Sequence, residues 1–143
     1  MSVGWNNESE LREHNAKKVS ISTGGFGTLI QREGNCMPIV DSNECRWFPI
    51  SNTIQIYSYT TLDNVFGDGP FFTAVNTKLL EEIKPDNEGF FQFKLDTGKY
   101  SVFIVENGAF YANSYNGQRG INPIEIVQDS VTNIDMVLDY AVY

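Results

Sequence analysis

The chain has 143 residues, of which 41% are hydrophobic and 13% aromatic, and a formal net charge of −8. That length fits one domain with a core of its own, so folding requires neither a metal nor a disulfide, and the apolar share excludes a disordered chain. The negative charge repels phosphate backbones, which excludes nucleic acid as a partner, and no stretch approaches the roughly 18 apolar residues of a transmembrane span.

The first segment, residues 1–18, is polar. Asn6-Asn7-Glu8-Ser9-Glu10-Leu11-Arg12-Glu13-His14-Asn15 reads as a flexible N-terminal arm or a short frayed helix, with the domain proper at residues 19–143. Met1-Ser2-Val3-Gly4-Trp5 shows neither a basic region nor an apolar leader core. The protein is therefore expected either to stay in the cytosol or to have lost a leader. Asn7-Glu8-Ser9 matches a glycosylation sequon, a three-residue pattern that is frequent by chance.

Two short β-prone runs, Val19-Ser20-Ile21 and Thr28-Leu29-Ile30-Gln31, flank Gly24-Gly25-Phe26-Gly27. A phosphate cradle would need a following Lys-Ser/Thr and an opening helix, and neither is there. The glycines are read as a bend or bulge at an edge strand. Cys36 and Cys45 are the two cysteines, in a proline-flanked polar loop. With His14 as the sole histidine, a zinc site is a poor reading. Two readings stay open: free thiols, or a local disulfide closing a loop of about ten residues that contributes about 2–3 kcal/mol. The disulfide reading gains weight if the protein is exported.

In Thr53-Ile54-Gln55-Ile56-Tyr57-Ser58-Tyr59-Thr60, Ile54 and Ile56 face one way and Gln55, Tyr57 and Tyr59 the other, the period of a half-buried strand. Residues 61–77 form a long connection containing Gly67-Asp68-Gly69-Pro70. Beyond it the pattern is regular. Residues 79–84 are a strand, Pro85-Asp86-Asn87-Glu88-Gly89 a turn, and residues 90–95 a strand with Phe91, Phe93 and Leu95 on one face. Asp96-Thr97-Gly98 is read as a hairpin loop. Residues 99–106 are apolar on both faces, as a central strand requires, and residues 123–127 and 132–140 close the set. About seven strands spaced roughly 8–12 residues apart, without an amphipathic helix, predict an all-β fold: a seven-stranded antiparallel β-sandwich.

Residues 83–102, which include Pro85-Asp86-Asn87-Glu88-Gly89-Phe90-Phe91-Gln92-Phe93-Lys94-Leu95-Asp96-Thr97-Gly98-Lys99-Tyr100, resemble the signature of carboxypeptidase regulatory-like domains. That signature is an acidic turn ending in glycine, an aromatic strand, leucine, a short glycine loop and a tyrosine on the next strand. The strong match covers about twenty residues. A weaker one runs from Gly27 to the C-terminus, through Ala109-Phe110-Tyr111-Ala112-Asn113-Ser114 and Asn122-Pro123-Ile124, and is similar to short exported proteins of Bacteroidetes-like bacteria. Asp96-Thr97-Gly98 departs from the two prolines such domains often carry before the glycine. The resemblance implies a prealbumin-like (transthyretin-like) sandwich and a non-catalytic module beside enzymes or at cell surfaces. The same superfold includes hydroxyisourate hydrolases, which use several histidines, an arginine and a C-terminal Tyr-Arg-Gly-Ser. This chain has Asp139-Tyr140-Ala141-Val142-Tyr143 there, and its one histidine precedes the domain.

The residues offer little chemistry of their own. A serine or cysteine nucleophile needs a base, and His14 would have to reach over from the arm. Asp63, Asn64 and Asp68 share a glycine-rich loop and are weighed as a calcium site, but they match no EF-hand spacing. Exposed aromatics are the better candidates: Trp47, Tyr57, Tyr59, Tyr111 and Tyr115, with Phe71 and Phe72 beside them, against the plainer reading that they cover the sandwich ends. The expectation is a non-catalytic module without cofactor or metal, periplasmic or at the cell surface, with the cytoplasm as the other compartment. It would bind a protein or glycan partner at the cell envelope, or self-associate into a homo-oligomer through an edge strand. Carbohydrate binding through the exposed aromatics is the alternative function.

Overall fold

The computed structural model describes residues 5–38 and 44–143. Asn7 opens its first element. The Asn7 Oδ1 accepts the Glu10 N–H at 2.9 Å and caps helix α1 (Glu8–Ala16), satisfying a backbone donor that the helix leaves unpaired. Strands follow in chain order: β1 (Gly24–Gly34), β2 (Cys45–Pro49), β3 (Ile54–Ser58), β4 (Val65–Phe66), β5 (Phe71–Phe72), β6 (Ala74–Val75), β7 (Leu79–Ile83), β8 (Phe90–Lys94), β9 (Gly98–Glu106), β10 (Ala109–Tyr111), β11 (Pro123–Ile126), β12 (Val131–Asn133) and β13 (Met136–Asp139). The expected seven strands are thus replaced by thirteen segments among the described residues, because several strands are broken into short pieces. The single strand expected over residues 132–140 is one such case, divided into β12 and β13.

Two sheets pack face to face, the all-β sandwich that the alternating sequence predicts. In the five-stranded sheet, β1 runs through the middle: β8 and β2 pair with its two halves on one side, β12 and β13 on the other. The six-stranded sheet is ordered β5-β10-β9-β3-β7, with β11 also on β9. Its β9 lies inside the sheet, between β3 and β10/β11, as its two apolar faces demand. Leu29, Phe91, Phe93, Met136 and Leu138 from the first sheet meet Ile54, Ile56, Val102, Ile104, Tyr111 and Ile126 from the second in the main core.

The expectation of purely antiparallel pairing is corrected at β1. Both β12 and β13 run parallel to it, because the chain reaches β1's far side only after the whole second sheet is built. The loop Asp96-Thr97-Gly98 is not a hairpin either. β8 belongs to the first sheet and β9 to the second, so the loop carries the chain across the sandwich. Gly24-Gly25-Phe26-Gly27 is not an edge bend: it lies in β1 between β8 and β12. Gly25 stands opposite Phe93 and Gly27 opposite Phe91. A Cβ on Gly25 would lie 2.3 Å from the Phe93 ring and one on Gly27 2.9 Å from the Phe91 ring. Glycine therefore lets both rings lie over the strand, a pairing that gives each side chain a partner surface.

The outer faces are covered as well. Residues 61–77 fold over the far side of the six-stranded sheet and enclose a second core of Tyr57, Phe72, Phe103, Ala112 and Ile121, with Leu62, Val65, Val75 and Phe110 packed around it. On the far side of the first sheet lies α1, so of the two readings of the N-terminal segment the flexible arm is corrected and the short helix holds, packed on the sheet and not frayed. Leu11 is fully buried, and Asn15 donates to the Thr28 Oγ1 at 2.9 Å and the Glu88 carbonyl at 3.0 Å. Glu8 reaches Arg32. Helix positions Glu8, Leu11 and Asn15 share one face, and Thr28, Ile30 and Arg32 share one face of β1, so two periodicities meet in register.

Candidate interaction surface

On the outer face of β1, Arg32 is the centre of a small constellation. Trp47 of β2 stands directly opposite it in register and so shares its face. The Arg32 guanidinium forks onto Glu8, Nη2 to Oε1 at 2.6 Å and Nε to Oε2 at 3.2 Å, and Nη1 donates to the Tyr143 hydroxyl at 3.2 Å. The Tyr143 hydroxyl donates onward to Asp139 Oδ2 at 2.6 Å. Burial works against the Arg32 charge, but its bonds to Tyr143 and Glu8 hold it protonated beyond its ordinary range. Burial and Asp139 push the Tyr143 phenol up.

Backbone geometry explains why Tyr143 reaches this place. After β13 the chain continues along β1: the Tyr140 N–H donates to the Arg32 carbonyl, the Val142 N–H to the Gly34 carbonyl, and the Cys36 N–H to the Val142 carbonyl. Tyr143 is 62% exposed and Val142 58%. Cys36 and Cys45 are joined in a disulfide at the same end of the sheet, where Gly34 of β1 pairs with Cys45 of β2.

The five aromatic candidates do not gather into one site. Trp47 lies in the Arg32 constellation. Tyr57 is not on an outward face: it is 6% exposed in the second core, edge-on to Phe103 at 5.4 Å, with its hydroxyl donating to Gln55 Oε1 at 2.5 Å. Burial, with Glu82 nearby, pushes its pKa up. The outer layer formed by residues 61–77 buries it, and a single strand's alternation carries no sign of that layer. Tyr111 is 3% exposed, packs on Phe71 at 4.9 Å, and its hydroxyl accepts the Asp139 N–H at 3.3 Å. Both are corrected from surface to interior. Phe72 is interior too, and Phe71 is half-buried, stacked on Tyr140 at 5.9 Å. Tyr115 is exposed on a separate loop, its hydroxyl on the Ala112 carbonyl. Tyr59 is half-buried and lines a groove of about 330 Å³ with Lys99, Asn116, Gln118, Pro123, Ile124 and Glu125.

Other polar candidates are engaged in holding the fold. Asp63 binds Arg119 at 3.1 Å, and the Asn64 Oδ1 accepts the Thr61 N–H at 3.0 Å. His14 bonds Glu88 at 3.2 Å. Among the described residues there is no group of three or more His, Cys, Asp or Glu able to hold a metal ion, and no helix is long and apolar enough to cross a membrane.

Sequence reasoning missed Arg32 and Tyr143. Nothing in a single sequence says that residues 140–143 extend beside β1. No family model, curated protein or solved structure matches the chain.

Proposed function

We propose that this chain is a non-catalytic β-sandwich module that docks a protein partner, exported to the cell envelope, of the carboxypeptidase regulatory-like kind that residues 83–102 resemble. The observation that carries the reading is the Trp47–Arg32–Tyr143 constellation. Tryptophan, tyrosine and arginine are the residues that dominate protein interfaces, and here they sit side by side on a sheet face. Arg32 is held in place by Glu8, so little side-chain freedom is lost when a partner covers it. The Cys36–Cys45 disulfide supports an oxidising compartment.

Side-chain docking is favoured over self-association through an edge strand. Two outward N–H groups at the end of β13 and just beyond it are already occupied, that of Asp139 by the Tyr111 hydroxyl and that of Ala141 by Asp139 Oδ1. The edge strand β7 carries Glu81 and Glu82 and pairs with β3 through a bulge, both of which oppose further pairing.

The experiment is photo-crosslinking in cells with a photoreactive residue at position 143 or 47, combined with fractionation and thiol labelling. One discrete adduct, an envelope location and blocked thiols are expected. A cytosolic protein with free thiols sinks the exported reading, and no adduct from either position sinks the docking reading. A second reading, carbohydrate binding through the exposed aromatics, is supported at one place, the groove at Tyr59.

A further inference from the structure

We infer that the groove at Tyr59 takes one sugar ring of a neutral glycan, stacked on the tyrosine; this rests on the carbohydrate reading and assigns its site and ligand class. The residue just after β3 is held by a loop built around it. The Asn116 Nδ2 donates to the Tyr59 hydroxyl at 3.0 Å, while the Asn116 Oδ1 accepts the N–H groups of Gln118 at 3.0 Å and Gly120 at 2.8 Å. Glycine at position 120 leaves room for the ring, because a Cβ there would lie 2.2 Å from the Tyr59 hydroxyl oxygen and would have to displace it. Thr61 bridges to Gly120 and fixes the loop to the chain beyond Tyr59. Residues 116–120 therefore set the orientation of one aromatic ring, and a ring that is already placed binds without an ordering cost.

The charged groups and the Gln118 amide around that ring are exposed. Lys99 and Glu125 stand opposite each other across β9 and β11. Among the described residues, the side chains of Lys99, Gln118 and Glu125 have no hydrogen-bond or ion-pair partner. They present an ammonium donor, a carboxylate acceptor and an amide that does both, while Pro123 and Ile124 add apolar surface. A sugar offers the matching pattern: hydroxyls that donate and accept at its rim, and C–H groups on its faces for the aromatic ring. The groove's about 330 Å³ lies at the lower end of the range for small-molecule sites, about 300–1,000 Å³. Its own charges cancel, and the chain's −8 repels sulfated or uronic-acid chains, which leaves neutral glycans.

The test is calorimetric titration of the full chain, after an array of neutral and acidic polysaccharides has chosen the probe. A neutral glycan is expected to bind. Tyr59→Ala should weaken it about tenfold or more, as truncation of a packing ring does, and Tyr115→Ala should leave it unchanged. If melting shows Tyr59→Ala to be unfolded, the surface double variant Gln118→Ala with Glu125→Gln takes its place, with weaker binding expected. Wild-type affinity in the folded variants overturns the inference, as does binding of acidic glycans alone. Glycan binding abolished by Tyr115→Ala and indifferent to Tyr59 overturns this groove but keeps the carbohydrate reading; no glycan binding at all removes both.

Discussion

Glu8 and Arg32 form a forked ion pair that joins the first turn of α1 to the far end of β1, with 2.6 and 3.2 Å contacts. Their side chains are 22% and 24% exposed. The pair holds the helix at one end while Asn15 holds it at the other through Thr28 and the Glu88 carbonyl. It also holds the guanidinium that donates to the Tyr143 hydroxyl, on the face that Trp47 shares. One contact thereby serves both the covering of β1 and the proposed docking surface.

Glu8→Gln should therefore lower stability by about 1–2 kcal/mol, the scale of a lost charge-assisted hydrogen bond. Leu11→Ala, at a fully buried position, should cost more, about 2–4 kcal/mol. Urea denaturation measures both. Values near zero for Leu11→Ala would mean that the helix does not rest on the sheet.

Acid should loosen the other side of the helix. Lys18 bonds Glu88 at 2.7 Å and Asp86 at 3.1 Å, with His14 also on Glu88. Burial pushes the Asp86 carboxyl up, but the Glu88 N–H, Lys18 and the Phe90 N–H outweigh it and hold it below its usual 3.8. Lys18 likewise holds Glu88 below its usual 4.5, against burial and with help from His14. Depressed carboxyls stabilise above their unfolded values, and that stability is lost as pH falls through the folded ones. Burial disfavours the Lys18 charge, yet its carboxylate partners raise its pKa above 10.5. Its contribution is full below that unfolded value and is lost as pH rises through the folded one. The stability gap between the native chain and Lys18→Met should thus be widest between pH 5 and 10, as roughly bounded by these ordinary values, and shrink on both sides. A gap independent of pH refutes the coupling.

Tyr111→Phe removes the hydroxyl that occupies the Asp139 N–H while keeping the ring. A loss of about 1 kcal/mol is expected, together with more self-association at high concentration, because an unpaired strand edge is exposed. Sedimentation velocity reports the second effect. An unchanged monomer would show that the hydroxyl does not protect this edge.

Replacing Cys36 and Cys45 together by serine should cost about 2–3 kcal/mol, the loop-closure value for a crosslink spanning nine residues. Since Gly34 pairs with Cys45 and the Cys36 N–H binds the Val142 carbonyl, hydrogen exchange should also quicken at residues 140–143. Exchange confined to the crosslinked loop contradicts that linkage.

The two-layer architecture was legible because alternation is a local property: Phe91, Phe93, Ile54 and Ile56 face inward as their spacing requires. Helix α1 was only half legible: a short frayed helix was one of two readings of residues 1–18, and its single apolar anchor, Leu11, makes the periodicity too weak to decide between them. Tyr57 was misassigned because a sheet covered on both sides buries the alternate face as well, and the cover lies elsewhere in the chain. Trp47 was picked out by residue type alone. Its neighbours Arg32 and Tyr143 come from positions 15 and 96 residues away, and only the fold brings them together.

The parallel arrangement of β12 and β13 on β1 has a consequence for when this protein can fold. The Thr28 N–H finds its acceptor on Asp135, 107 residues later, so one flank of the central strand lacks neighbours until β12 and β13 have been synthesised. Pairing over so long a separation is slow, because the loop-closure entropy must be met before the contacts form. Until then Leu29 and Ile30, both fully buried in the finished fold, lack part of the cover that keeps them from water.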